Sequence, residues 1–220
     1  MKINIPTWIT FFRIALLPLI LFFYVGATEL IQSEFMHYWG RFIAVILFML
    51  AVASDWLDGY VARKRNEVTD FGKVIDQIAD KVLVLLAFLL IVTDPVLVDS
   101  PFNIMPIWFA VVIVFINIGR DYAVGAVRQI SKTVIPADRF GKAKTMFQFS
   151  ALWLFMLWAV SATLGWGLYT NDLLNDLHRY LAWIMMIAAT VLSVLSCVNY
   201  ILNYRQTLRE DGNQKSEDTK

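Results

Sequence analysis

The chain reads Asp55-Trp56-Leu57-Asp58-Gly59-Tyr60-Val61-Ala62-Arg63, then eight residues, then Gly72-Lys73-Val74-Ile75-Asp76-Gln77-Ile78-Ala79-Asp80. Both flanks are apolar: Phe42 to Ala53 precedes the stretch without a charge, and Val82 to Val92 follows it in the same way. A charged side chain at the centre of a bilayer costs about 2.5–3.5 kcal/mol on insertion scales. Asp55, Asp58, Asp76 and Asp80 therefore require compensating cations, and a bound divalent metal is the most economical source.

The rest of the chain is built for lipid. Hydrophobic residues make up 59% of its 220 positions, above the roughly 45–50% of soluble domains. This excludes an ordinary soluble enzyme and predicts an all-α integral membrane protein. A spanning helix needs about 20 mostly apolar residues. Six such stretches are expected, near 8–26, 40–62, 73–94, 104–128, 143–166 and 179–203. They form one catalytic domain over 1–205, followed by a mobile polar tail over 206–220. The first apolar segment is expected to be retained, since no basic region and small-residue cleavage site mark it as a signal peptide.

Charge alternates between loops. The connections 27–39, 95–103 and 167–178 carry Glu29, Glu34, Asp99, Asp172 and Asp176 but no Lys or Arg. Lys2, the 63–73 stretch, the 128–144 stretch and the tail hold most of the basic residues. Lys and Arg favour the cytoplasmic side, which places both termini and the aspartates there. Arg41 and Arg179 fall near the outer side, as do His37 and His178, which are assigned no part in metal binding. Trp8, Trp39, Trp108 and Trp166 lie near helix ends as interfacial anchors. A net charge of +1 leaves no basic footprint for nucleic acid, and the single Cys197 permits no intramolecular disulfide.

Asp55 and Asp58 are three apart and Asp76 and Asp80 four apart, so each pair shares a helix face. Gly59 and Ala62 continue the first face and leave it flat. Arg63 extends it with a planar fork suited to phosphate. In an antiparallel hairpin the two acidic halves lie at one level. Hard oxygen donors suit Mg²⁺, Mn²⁺ or Ca²⁺, and phosphate chemistry commonly uses two ions about 3.5–4 Å apart. Two other readings use the same residues. One is a set of intramembrane salt bridges to Arg63, Lys73 and Lys81. The other is a divalent-cation transporter with the aspartates as its filter.

The full string, Asp55-x-x-Asp58-Gly59-x-x-Ala62-Arg63 followed by Gly72-x-x-x-Asp76-x-x-x-Asp80, resembles the signature of the CDP-alcohol phosphotransferases. The resemblance implies a six-helix transmembrane bundle, usually a homodimer, that cleaves a CDP-linked substrate and releases CMP. It implies Mg²⁺ or Mn²⁺, as two ions, on Asp55, Asp58, Asp76 and Asp80, with Asp80 also the general base. It implies nucleotide and diphosphate contacts from Asn4, Thr10, Asp58, Gly59, Ala62, Arg63 and Gly72.

The opening Asn4-Ile5-Pro6-Thr7-Trp8-Ile9-Thr10-Phe11-Phe12-Arg13 is similar to that of bacterial phosphatidylglycerophosphate synthases, with Thr7 and Ile9 in place of Asn and Leu. Arg120-Asp121 and Gly141-Lys142-Ala143-Lys144-Thr145 resemble the same subfamily. The implied substrates are CDP-diacylglycerol and sn-glycerol 3-phosphate, in the bacterial cytoplasmic membrane and among its lipids. An acceptor that bears a phosphate needs positive charge, and Arg120, Arg139, Lys142 and Lys144 are available. Topology and anionic headgroups also account for those cations, and Arg120 has Asp121 as an alternative partner. Capping and snorkelling are the plain alternatives for Asn4, Thr10 and Arg13. The resemblance favours contact with the nucleotide or with the second helix.

Overall fold

Apolar runs of this length leave the backbone one way to satisfy its hydrogen bonds in lipid, which is to close them within each segment as helix. A computed structural model describes residues 5–26, 33–65, 70–94, 97, 107–130, 139–165 and 172–217. Within that range it leaves out the side chains of 5–6, 56, 58–65, 70–71, 73, 127–130, 139 and 204–217. The described elements are six helices: α1 (Ile5–Val25), α2 (Glu34–Arg65), α3 (Asp70–Thr93), α4 (Ile107–Ile130), α5 (Arg139–Leu164) and α6 (Asp172–Glu217). Gly165, at φ +63°, follows α5, the left-handed position that a helix C-terminus commonly assigns to glycine.

Five of the six are long and apolar enough to cross a membrane, over Thr7–Val25, Glu34–Asp55, Ile107–Ala126, Phe140–Leu164 and Asp172–Asn203. The chain is a multi-pass membrane protein. The expected third span is the exception. Its helix forms, but Asp76, Asp80 and Lys81 place three charges in its first half, and it is not among those five. The last helix runs well past the expected 203, through Gln206 to Glu217. Residues 204–217 hold two each of Arg, Gln and Glu, which are good helix formers.

The described chain divides into two compact units. One is Met1–Ile107 with Leu152–Leu181, and the other is Trp108–Ala151 with Ala182–Lys220. In the first, α1 packs on α2 and α3. The buried face of α1 runs Thr7, Thr10, Arg13, Leu16, Ile20, Tyr24, a helical spacing of three and four. Its first half is polar and its second apolar. Buried residues of the other two helices include Ala44, Phe48, Ala51 and Ser54 of α2, and Ala79, Leu83, Ala87 and Phe88 of α3. Large apolar side chains such as Ile46, Met49, Leu50 and Leu89 are exposed, as lipid-facing positions are. Trp8, Trp39 and Trp108 are exposed too, in keeping with interfacial anchors, while Trp166 lies outside the described residues.

Candidate active site

Arg13 sits on the inner face of α1 with none of its side chain exposed. A buried guanidinium is tolerated only when paired and hydrogen-bonded. Its Nη1 forms an ion pair with Asp55 Oδ1 of α2 at 3.0 Å and donates to Asp76 Oδ1 of α3 at 3.0 Å. Its Nε donates to Ser54 Oγ at 3.3 Å, and the Ser54 hydroxyl donates to the Ala51 carbonyl at 2.7 Å. The two halves of the acidic motif therefore meet on one nitrogen. The carboxylates are not sealed in: the Asp55 and Asp76 side chains are 41% and 44% exposed. They offer hard oxygen donors on an open side, a donor set that fits Mg²⁺ or Mn²⁺.

Asp80 stands one helical turn beyond Asp76 on α3, half-buried. Thr10 is buried one turn before Arg13 on the same face of α1. Gly72 is half-buried in the first turn of α3. Asp58, Gly59, Ala62 and Arg63 lie in the helical backbone of α2, and their side chains are outside the described set, as is all of Asn4. Among the described residues no group of three or more His, Cys, Asp and Glu side chains converges as a metal site.

The salt-bridge alternative named Arg63, Lys73 and Lys81 as partners of the aspartates, and the side chains of Arg63 and Lys73 lie outside the described set. For Asp55 and Asp76 the structure shows Arg13 as a partner, across 63 residues of sequence to Asp76. Sequence reasoning gave Arg13 a contact with the second helix but no place among the site residues. The signal was present in the Thr7, Thr10, Arg13 stripe, which is polar where the rest of the same face is apolar.

The second unit has its own buried ionic group. Arg120 of α4 donates from Nη1 to Asp121 Oδ1 at 2.9 Å and from Nη2 to Ser196 Oγ of α6. Lys144 of α5 donates to both oxygens of Asp121, at 2.8 and 2.6 Å. Two cations thus converge on one carboxylate. A Cβ at Gly141 would meet Arg120 Nη2 at 3.2 Å, so glycine there permits the guanidinium to pack against α5. Of the four cations expected to receive an acceptor phosphate, Arg120 and Lys144 are brought together, each with Asp121 as partner. Lys142 is exposed on α5, and the Arg139 side chain lies outside the described set. The same unit holds a further buried polar pair, Asn117 Nδ2 donating to Thr190 Oγ1 at 2.8 Å.

A third cluster went unread in the sequence. Arg41 of α2 forms a fork on Asp94, Nε to Oδ2 at 3.0 Å and Nη2 to Oδ1 at 3.2 Å, and donates from Nη1 to Thr163 Oγ1 of α5 at 2.8 Å. The side chain of Asp94 is fully buried. His178, placed at the outer interface by its position, has a ring nitrogen 2.8 Å from the Leu154 carbonyl oxygen.

Comparison with known proteins bears on these groups. A family model described as CDP-alcohol phosphatidyltransferase matches residues 3–195. A protein of Shigella flexneri serotype 5b named CDP-diacylglycerol–glycerol-3-phosphate 3-phosphatidyltransferase is 30% identical over 215 residues, covering 94% of this chain and 98% of its own length. Proteins of the same name from Bacillus subtilis and Escherichia coli K12 are each 34% identical, over 68% and 72% of this chain and 74% and 79% of their own lengths.

Proposed function

The chain belongs to the CDP-alcohol phosphatidyltransferase family, and on that premise we propose that it transfers the phosphatidyl group of CDP-diacylglycerol to sn-glycerol 3-phosphate. The products are phosphatidylglycerol phosphate and CMP. The observation that carries the reading is the meeting of Asp55 and Asp76 on the Arg13 guanidinium. It joins the two halves of the motif in a chain whose likeness to the named transferase extends over 94% of its length.

In the reaction the acceptor hydroxyl oxygen bonds to the lipid-bearing phosphorus, and the bond from that phosphorus to the CMP oxygen breaks. The hydroxyl proton passes to Asp80 and the electron pair leaves with CMP. Asp55, Asp58, Asp76 and Asp80 would hold Mg²⁺ or Mn²⁺, as two ions, which neutralise the diphosphate charge when bound. Asn4, Thr10, Asp58, Gly59, Ala62, Arg63 and Gly72 serve the nucleotide and diphosphate. Arg120, Arg139, Lys142 and Lys144 serve the acceptor phosphate. The convergence of Arg120 and Lys144 on Asp121 supports this for those two. The enzyme works as a homodimer in the bacterial cytoplasmic membrane, with six spanning helices, both termini and the acidic site facing the cytoplasm.

The test is transfer from labelled CDP-diacylglycerol, with acceptors offered singly, with and without Mg²⁺ or Mn²⁺. Product with glycerol 3-phosphate, dependent on metal, is expected. Product only with another acceptor, such as inositol phosphate, serine or a phospholipid, would overturn the assignment. Metal transport without CMP release would overturn the enzymatic reading as a whole.

A further inference from the structure

We propose that Arg13 is a positioning residue for the metal carboxylates, an inference that rests on the metal reading above. Its guanidinium holds Asp55 of α2 and Asp76 of α3 at one separation and leaves their open side to a divalent cation. Each carboxylate gives one oxygen to the same Nη1 at 3.0 Å, so those oxygens lie no more than about 6 Å from each other. The two carboxylates repel, and they sit on different helices with no covalent tie shorter than the α2–α3 connection. A cation between them offsets that repulsion and ties α2 to α3 at this point.

The guanidinium is itself fixed. It is fully buried, and Ser54 Oγ receives its Nε while turning its own proton to the Ala51 carbonyl. A planar fork bonded at two nitrogens is more rigid than an ammonium on a flexible stem. Arg13 contacts the carboxylates from the buried side, and about two-fifths of each acidic side chain remains exposed. That is the arrangement of an outer partner that orients a metal ligand, a role whose loss typically weakens metal binding about 10–100-fold.

The experiment uses the full chain in lipid nanodiscs with Mn²⁺ alone as the probe, free Mn²⁺ being read by electron paramagnetic resonance. D76N is the control for the site. R13Q removes the cation and R13K keeps the charge without the fork. S54A removes only the Nε anchor. R13Q is expected to weaken Mn²⁺ binding about 10–100-fold, R13K less, and S54A by about threefold. Raised Mn²⁺ should restore R13K turnover while its KM for CDP-diacylglycerol stays constant.

A merely structural Arg13 would lower the unfolding midpoint and leave Mn²⁺ affinity unchanged in the folded protein. Unchanged affinity in folded R13Q, or tighter binding, would overturn the proposal. If R13Q does not fold, unchanged affinity in both R13K and S54A overturns it equally. Failure of the metal reading looks different: wild type does not bind Mn²⁺, or D76N binds as well as wild type.

Discussion

Arg13 and Arg41 are both buried, both reach from their own helix to acid elsewhere in the fold, and both lie in the unit that contains α1, α2 and α3. They occupy opposite ends of the α2–α3 hairpin, since Arg41 precedes Asp55 on α2 by about 20 Å of helix. The difference lies in their partners. Asp94 is wholly buried and receives both arms of the Arg41 fork, so its charge is satisfied within the protein. Asp55 and Asp76 are 41% and 44% exposed and share one nitrogen of Arg13. The first arrangement is closed and holds helices together. The second leaves carboxylate surface that can still take a ligand. Similar buried guanidinium chemistry thus serves two purposes, separated by the exposure of the acid.

If that contrast is right, damage at the open end should appear in turnover and damage at the closed end in stability. Asp80→Asn carries the largest expected effect, a fall in turnover of about 10²–10⁴-fold with CDP-diacylglycerol binding retained. Near-normal turnover would remove Asp80 from the mechanism. Asp94→Asn should destabilise the protein by about 3–5 kcal/mol, because it strands the Arg41 guanidinium in the interior. Thermal unfolding in detergent would measure this, and the folded fraction should keep its turnover and KM values. An R41M/D94L double variant should recover most of the loss. If D94N instead abolished turnover at unchanged stability, the closed cluster would not be structural.

The Asp121 cluster lies between the two extremes, with its acid 25% exposed. Lys144→Met should raise KM for glycerol 3-phosphate about tenfold, the scale of a hydrogen bond to a charged group, and leave KM for CDP-diacylglycerol alone. A pure stability loss would move this cluster to the Arg41 class. Gly141→Ala is the mildest case. The new Cβ meets Arg120 Nη2 at 3.2 Å and Ser196 Oγ at 3.4 Å. The end of the arginine can yield, so acceptor KM should rise by less than about threefold.

The helices were legible because their signal is local. Twenty apolar residues in a row state their own length, and Asp55/Asp58 and Asp76/Asp80 state their faces through the helical period. The third helix is the mixed case. Its apolar half carries the length signal of a spanning segment, while Asp76, Asp80 and Lys81 mark its other half as a site. At the other end, the polar composition after 203 hid the continuation of α6, because polarity marks solvent contact and does not by itself end a helix. Arg120 was read as an acceptor residue, with Asp121 kept as the alternative partner. Only the packing of α4, α5 and α6 within their unit shows that Lys144 and Ser196 join the same group.

Sequence alone determined that this chain is helical, that it crosses a membrane several times, and that four aspartates form two face-sharing pairs. Each of those properties is set by neighbours within one or two helical turns. Tertiary structure alone decided which cation meets which acid. Arg13 reaches Asp76 across 63 residues and Arg41 reaches Asp94 across 53. Such pairings depend on which faces of distant helices pack together, and no local period encodes that choice. Packing also set the exposure of each acid, and with it the division between a carboxylate that closes the fold and a carboxylate left open to bind.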